Sequence, residues 1–445
     1  MSSRERPAAW HDVDDEPIVL ELPRDSALLA PRLVPPPAGS FDSPVRGRRI
    51  LVVGSSYAPE PTETAPHTTS LAEHLATSAD RVDVLAGAPK GSDDVRPGQD
   101  DSQTVAGHPV VHLLRHWTPG RPTPRRQAVS DAAFLTRALR TRLPVAPDLV
   151  VAVTPGVGAA AAAVKLARRT EAPLLVVVHG LVPTGAETRG DAELAEAARL
   201  AARMQRYALR GADSVAILSE AFRDGVTAHG VPDERVHLLP LDLHVAAVPA
   251  PQAEARAQLG WRPGLAVVHT GPMTPHEDLG NVVEAARLLA DRDDVTFYLV
   301  GDGSRREALE AQAQGLAGVR FVEATPQTQA LALAAADVLL VNERPTVGEL
   351  SLPCSLTSYL SAGRPVLAAV WPGGATGREL DRTQGAALRI DPGSPVRLAG
   401  AVLALESDPA RRSAMGATAR CYAEARLGRE RSMAALDEVV RGLLA

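Results

Sequence analysis

The polar residues best suited to chemistry cluster in one run, Glu343-Arg344-Pro345-Thr346-Val347-Gly348-Glu349-Leu350-Ser351-Leu352-Pro353-Cys354-Ser355-Leu356-Thr357-Ser358. Ser355 has the type and position of an N-cap for the helix that follows. Such a cap leaves the amides of Leu356, Thr357 and Ser358 at a positive helix end, which suits a diphosphate. An ordinary capped helix under a solvated loop fits the same residues. Cys354 reads as a small packing residue rather than a nucleophile. A second candidate, His179, closes the apolar run Leu174-Leu175-Val176-Val177-Val178 and so puts an imidazole at a strand end, as a reactive group or as a loop cap. His67 is a weaker candidate of the same kind, and Glu60 and Glu63 either bind a polar ligand or are simply solvated.

Several reaction classes lose support from what these loops lack. There is no G-x-x-x-x-G-K-[ST], no complete G-x-G-x-x-G after the first strand, no G-x-S-x-G and no H-E-x-x-H. A P-loop nucleotidase, a dinucleotide oxidoreductase, an α/β-hydrolase and a zinc enzyme are each disfavoured. Asp291-Arg292-Asp293 has the form of a metal-binding pair, but it falls between a helix and a strand on the far side of the sheet. No metal and no cofactor are expected.

The elements that must position these residues alternate along the chain. Arg49–Gly54 is a continuous aliphatic run, the pattern of a strand buried on both faces of a parallel sheet. Strands expected at Val82–Leu85, Val110–Leu114, Asp148–Val153, Leu174–Val178 and Ser214–Leu218 are separated by helices near Thr68–Ser78, Asp131–Leu143, Gly158–Arg169 and Asp191–Leu209. Prolines at 249, 251 and 263 mark a linker over Val245–Pro263. Beyond it the alternation resumes to Ala369 and closes with helices at Pro395–Glu406, Pro409–Ala425 and from Arg429. This is an α/β chain of two Rossmann-like domains facing across a cleft. The boundaries are a flexible, disordered N-terminal arm over 1–47, domains over 48–246 and 262–428, and a last helix over 429–445 whose apolar stripe packs back on the first domain. Ligands of such sheets bind at carboxyl strand ends, which selects the loops Gly54–Thr68, His179–Arg189, Gly271–Asp278, Gly301–Arg305, Val322–Thr328 and Asn342–Ser358.

Composition agrees. A chain of 445 residues exceeds one ordinary core. A net charge of −6 with 3% aromatics offers neither the global basic field nor the stacking platforms of a nucleic-acid binder, so no nucleic-acid partner is expected. Two cysteines and no run long enough to span a bilayer fit a cytoplasmic protein. One local basic cluster stands out, Arg121, Arg125, Arg126, Arg137, Arg140 and Arg142 near Trp117. It is either a solvated face or a peripheral contact with the inner face of a membrane.

Taken in order, further motifs carry a resemblance. Val300-Gly301-Asp302-Gly303-Ser304-Arg305, Ala336-Asp337-Val338-Leu339-Leu340 and Ala362-Gly363-Arg364-Pro365-Val366 resemble the C-terminal half of retaining GT-B glycosyltransferases of family four. Ala212–Ser219 and Gly230–Val236 fit the same pattern. Tyr57-Ala58-Pro59-Glu60-Pro61-Thr62, Gly271-Pro272-Met273 and Leu352-Pro353-Cys354-Ser355-Leu356-Thr357 are similar to the colanic-acid-type branch. The resemblance covers roughly residues 48–440. It implies a nucleotide-diphosphate sugar held by the second domain through Gly271, Met273, Gly301, Arg305, Glu349, Ser355, Leu356, Thr357 and Ser358. It also implies His179 near the transferred sugar, Glu60, Glu63 and His67 on the side of a small-molecule or lipid-linked acceptor, and metal-independent transfer with retention.

The sequence departs from that family at its donor site. Thr62-Glu63-Thr64-Ala65 stands where the family has loop glycines, and Pro272, Met273, His276 and Glu277 stand where it has a clamping Arg and Lys. Its paired glutamates fall at Leu350 and Ser358, with Glu349 one step away, and the branch's lysine is Ser355. Arg305, Arg344 and Arg378 are candidate replacements for the lost cations. The competing expectation is therefore a catalytically degenerate GT-B protein that binds or activates a partner enzyme. A sugar-nucleotide epimerase of related architecture is a third.

Overall fold

The computed structural model describes residues 43–58, 64–88, 107–118, 124–181, 192–240, 246–248, 250–345 and 352–445. The expected arm over 1–47 lies outside them except at its end. There the chain is already anchored, because Val45 is buried and Arg46 bridges Ala79.

The first sheet is built from β1 (Arg49–Val53), β2 (Arg81–Gly87), β3 (Val110–Leu114), β4 (Leu149–Val153), β5 (Leu174–Val178), β6 (Ser214–Ile217) and β7 (Val236–Leu238). Its helices are α1 (Ala65–Ala76), α2 (Pro124–Arg140), α3 (Val157–Thr170), α4 (Ala192–Arg210) and α5 (Arg223–Ala228). Every pairing is parallel, in the order β3-β2-β1-β4-β5-β6-β7. Aliphatic runs explain this, since all five residues of β4 and of β5 are buried.

The second sheet follows α6 (Gln252–Leu259). It comprises β8 (Leu265–Thr270), α7 (Leu279–Leu288), β9 (Val295–Val300), α8 (Arg306–Gln312), β10 (Val319–Val322), α9 (Pro326–Ala335), β11 (Val338–Asn342) and α10 (Ser355–Ala362). After these come β12 (Val366–Ala369), α11 (Ala375–Arg382), β13 (Ala387–Ile390), α12 (Pro395–Glu406), α13 (Pro409–Arg426) and α14 (Arg429–Leu444). The strand order is β10-β9-β8-β11-β12-β13, again all parallel. Strand alternation splits its side chains between two cores. Leu265 and Val267 belong to a cluster with α7 and α12, while Ala266 and Val268 join the cluster that runs through the first sheet.

Two details differ from the sequence reading. The stretch over 245–263 is not a bare linker, because α6 packs on α9 and Arg256 donates to Asp337 (2.5 Å) and to the Ala335 carbonyl (2.9 Å). The elements α5, β7, α11 and β13 were not foreseen. Their polar or glycine-broken sequences hide the period. The aspartates of the Ala-Asp motifs have a structural task at the amino ends of the strands. Asp213 accepts from the Leu174 amide (2.8 Å) and Asp337 from the Ala266 amide (2.7 Å). Along α14, Met433, Leu436 and Val440 lie in the cluster shared with the first sheet, and Asp437 accepts from His74 of α1 (2.9 Å).

The crossing of α2 and α3 is close. A Cβ on Gly158 would stand 2.3 Å from the Asp131 carbonyl oxygen. Gly158→Ala is expected to destabilise the protein by roughly 1–3 kcal/mol through this overlap, and thermal denaturation against the parent measures it.

Candidate active site

In both sheets the strand order reverses beside the first strand, with β2 and β4 flanking β1 and β9 and β11 flanking β8. Connections leave such a point in opposite directions and open a crevice. In the second sheet that crevice is framed by the loop after β8 and the end of β11.

The loop after β8 is locked to the loop after β9. The Met273 amide donates to the Asp302 carbonyl (2.8 Å), and the Met273 carbonyl accepts from the Arg305 amide (2.9 Å). A Cβ on Gly301 would lie 1.9 Å from the Gly271 carbonyl oxygen, and Gly303 takes φ +154° against Met273. Gly271, Met273 and Gly301, expected as ligand contacts, thus build the junction. The Met273 side chain is fully buried and both its backbone groups are engaged.

Further along, Glu277 accepts from the Thr274 amide (2.9 Å) and hydroxyl (2.5 Å). Asn342 at the end of β11 donates to the carbonyls of Glu277 (2.8 Å) and Asp278 (3.0 Å), and accepts from Asn281 (2.8 Å). The Arg344 amide donates to the His276 carbonyl (3.0 Å). Burial raises the Asp278 carboxyl, and the charges of Arg344 and Arg305 pull it back. Both exposed guanidinium groups therefore act on one side of the crevice. Arg378 is engaged elsewhere, 3.6 Å from Asp224 of α5.

Glu343 is the residue that sequence reasoning left without a role. Only 8% exposed, it accepts from the Thr376 hydroxyl in the first turn of α11. Burial pushes its carboxyl up to about 7, eased by Thr376 and reinforced by the charge of Glu277. Nearby in the charge network, His269 is buried, its pKa lowered by burial and raised in part by Glu277. Among the described residues its Nε2 has no close hydrogen-bond partner, while its Nδ1 lies 3.4 Å from the Leu340 carbonyl.

At α10 the expected cap is corrected. Cys354 precedes the helix in a helical conformation (φ −58°, ψ −29°) and makes no side-chain cap. Ser355 is the first helical residue, and the Tyr359 hydroxyl, one turn on, donates to the Thr270 carbonyl (3.2 Å). The Leu356 amide is not free, since Pro353 begins a turn whose carbonyl accepts it (3.0 Å). Thr357 and Ser358 occupy the opening turn with buried side chains. Glu60, Glu63 and Glu349 lie outside the described residues.

The first domain supplies the opposite wall. His179 at the end of β5 lies 4.4 Å from His67 of α1, ring centre to ring centre, with planes tilted by 52°. Burial lowers the His179 pKa well below its ordinary value and the neighbouring His67 lowers it further, so the ring is neutral near pH 7. The Nε2 of His67 is 3.4 Å from the Cys354 sulfur. An imidazole pair on one domain thus meets the start of α10 on the other. Cys354, read only as packing, is the contact. Nearer the edge Ser219 of the first domain donates to Glu379 (2.8 Å), which also accepts from Tyr422 (2.5 Å).

Two Rossmann-like sheets meeting by their carboxyl edges, with arginines on one wall and imidazoles on the other, define the GT-B class. Residues 62–242 match a family model described as a glycosyl transferase 4-like domain, and residues 264–408 match the model for glycosyl transferases group 1. The chain is 24% identical over 413 residues to the Escherichia coli (strain K12) protein named for colanic acid biosynthesis as glycosyl transferase WcaI, covering 88% of this chain and 100% of that one. Among solved structures, Anabaena HepE in complex with UDP-glucose aligns with a TM-score of 0.63 at 19% identity, covering 88% of this chain and 98% of that one. Sucrose-phosphate synthase from Thermosynechococcus elongatus aligns at 0.66 and 18%, covering 89% and 99%. The chain belongs to the family-four GT-B glycosyltransferases.

Glu343 makes the stability of this fold depend on pH. An acid whose pKa is raised on folding holds its proton more tightly folded than unfolded, so stability falls as pH rises from the ordinary carboxylate range toward 7. Glu343→Gln keeps an acceptor for Thr376 and removes the charge. The variant is expected to gain stability over the parent at pH 8, by up to about 3 kcal/mol, and little at pH 4. Melting curves at the two values check the sign.

Proposed function

We propose that the protein transfers a sugar, with retention, from a nucleotide-diphosphate donor bound at the β8–β11 crevice to an acceptor held by the first domain. The observation that carries this reading is that Arg305 and Arg344 are both tied to the loop after β8, their amides donating to the Met273 and His276 carbonyls, and that the charge of each lowers the Asp278 carboxyl. A leaving diphosphate bears about two negative charges and a helix end offers only ~0.5 of a positive one. Two guanidinium groups supply the remainder and can take the place of cations absent from Gly271–Asp278. No metal ion takes part in this reading. The neutral His179 ring stands where it can accept or donate a hydrogen bond to the transferred sugar without adding charge. Retention rests on the resemblance to the retaining family-four enzymes, and a nucleotide-sugar donor is in keeping with the UDP-glucose bound to HepE.

One feature favours a second reading, that of a degenerate GT-B protein serving as partner to another enzyme. The donor loop carries Glu277 and no cation of its own. Donor binding separates the two. Calorimetry with a panel of nucleoside diphosphates that includes UDP should show binding in the parent. Arg305→Ala and Arg344→Ala should each weaken it roughly ten- to hundred-fold, while Arg378→Ala, whose partner is Asp224, should leave it unchanged. A parent that binds no member of the panel favours the partner role. Binding that survives both crevice substitutions refutes the charge assignment.

A further inference from the structure

The outer edge of the second sheet carries a groove that the crevice does not use. β13 ends the strand order, with β12 on its inner side. The Val366 and Val370 amides donate to the Ala386 and Ile390 carbonyls (3.1 and 3.2 Å). Alternate residues of a parallel ladder face the neighbouring strand, so the amide and carbonyl of Arg389 point away from the sheet. Among the described residues no strand pairs with them.

A cavity of about 490 Å³ runs along this edge. One wall is four consecutive residues, Leu388 to Asp391. Their side chains alternate between the faces of the sheet, so the cavity follows the edge rather than one face. The other wall is one side of α12, where Arg397, Ala401 and Ala404 recur at helical spacing. The two alanines leave room between helix and strand. Arg411, in the first turn of α13, and Pro372, past β12, complete the lining.

Charge in this lining is unbalanced, with three arginines against one aspartate. Arg397 donates to Asp391, and Arg389 to the exposed Asp381. Each carboxylate engages one nitrogen of a guanidinium that carries five N–H donors. Asp408 is taken up as the cap of α13, accepting from the Arg411 amide (2.8 Å). The Arg411 side chain is exposed and, among the described residues, forms no ion pair. Apolar surface lies alongside. Leu388 and Ile390 are half-buried, and Val396 and Trp371, next in sequence to Arg397 and Pro372, are 71% and 51% exposed.

We propose that this groove is a docking site for an extended acidic peptide segment of a partner protein, added as a strand to the edge of β13. An open edge supplies main-chain donors and acceptors, the facing helix confines the occupant to an extended chain, and the arginines select carboxylates. A nucleic acid would meet the arginines but has no main-chain groups to pair along the edge. The proposal stands on this groove alone and does not depend on the reaction.

Fluorescence anisotropy of the full chain with a labelled Val-Glu-Val-Glu-Val-Glu peptide tests it. The peptide is expected to bind, and its counterpart with lysine in place of each glutamate is not. Methylating the backbone nitrogens of the valines, or of the glutamates, keeps the charge and removes one set of donors. At least one of these two analogues should bind roughly ten- to hundred-fold more weakly. Arg397→Gln with Arg411→Gln should weaken binding of the parent peptide roughly ten-fold. Ala404→Trp, which fills the exposed side of the groove, should abolish it at an unchanged melting temperature. Arg320→Gln, exposed on β10 at the opposite edge of the same sheet, should bind like the parent. No binding of the acidic peptide, equal binding of the lysine peptide, full affinity of both methylated analogues, or no effect of either groove variant would overturn the proposal. So would a single-stranded DNA oligomer held as tightly through the same two arginines.

Discussion

A parallel sheet buried on both faces has nowhere to place chemistry except at its strand ends. In each domain the aliphatic strands are covered on both sides, so every polar group that meets a ligand must come from a connection. The amino ends are taken up with tying strands together, as Asp213 and Asp337 show. That leaves the carboxyl ends, and the two domains meet there. The constraint explains why His67, His179, Cys354, Glu343 and the two crevice arginines, scattered over the chain, share one region.

The same constraint makes α11 a structural link. Its first turn holds Glu343 through Thr376, and less than one turn further on Glu379 accepts from Ser219 of the first domain and Tyr422 of α13. A buried carboxylate bridged by two hydroxyls is costly to leave half-satisfied. One side of the helix, within a single turn, is therefore fixed both to the crevice and to the domain contact. Removing either hydroxyl would strand a buried acceptor, whereas a loop would have absorbed the change.

How much of this was legible in the sequence depends on whether the signal was local. Aliphatic runs such as Leu174–Val178 announce themselves, and the strand-end place of His179 follows from the run alone. Glu343 could not be singled out, because its partners Thr376 and Glu277 come from other connections and only the fold brings them near. The cap at Ser355 was misread for a conformational reason. Pro353 starts a turn that takes the Leu356 amide, and Cys354 is already helical, so the serine enters the first turn. The spacing of Ser355 before an apolar helix is compatible with both outcomes. α11 and β13 were missed because each is short, and because Ala375–Arg382 has Leu380 as its one large apolar side chain and follows Gly373-Gly374, so little hydrophobic signal marks it.

Charge was the least legible quantity. A net charge of −6 describes the whole chain, but a field acts over about a Debye length, roughly 8–10 Å in ordinary salt. Within that distance only neighbours matter, and neighbours are set by packing. Arg389 of β13, Arg397 of α12 and Arg411 of α13 come from three elements, yet they line one groove, so three modest charges become one field. In the crevice the opposite holds. The loop that lacks cations is served by Arg305 from one connection and Arg344 from another, each of which reads alone as a solvated surface residue. A loss seen in one motif is thus made up only where the fold brings a second element within the same screening length, and that is a property of the sheet order rather than of any single stretch of sequence.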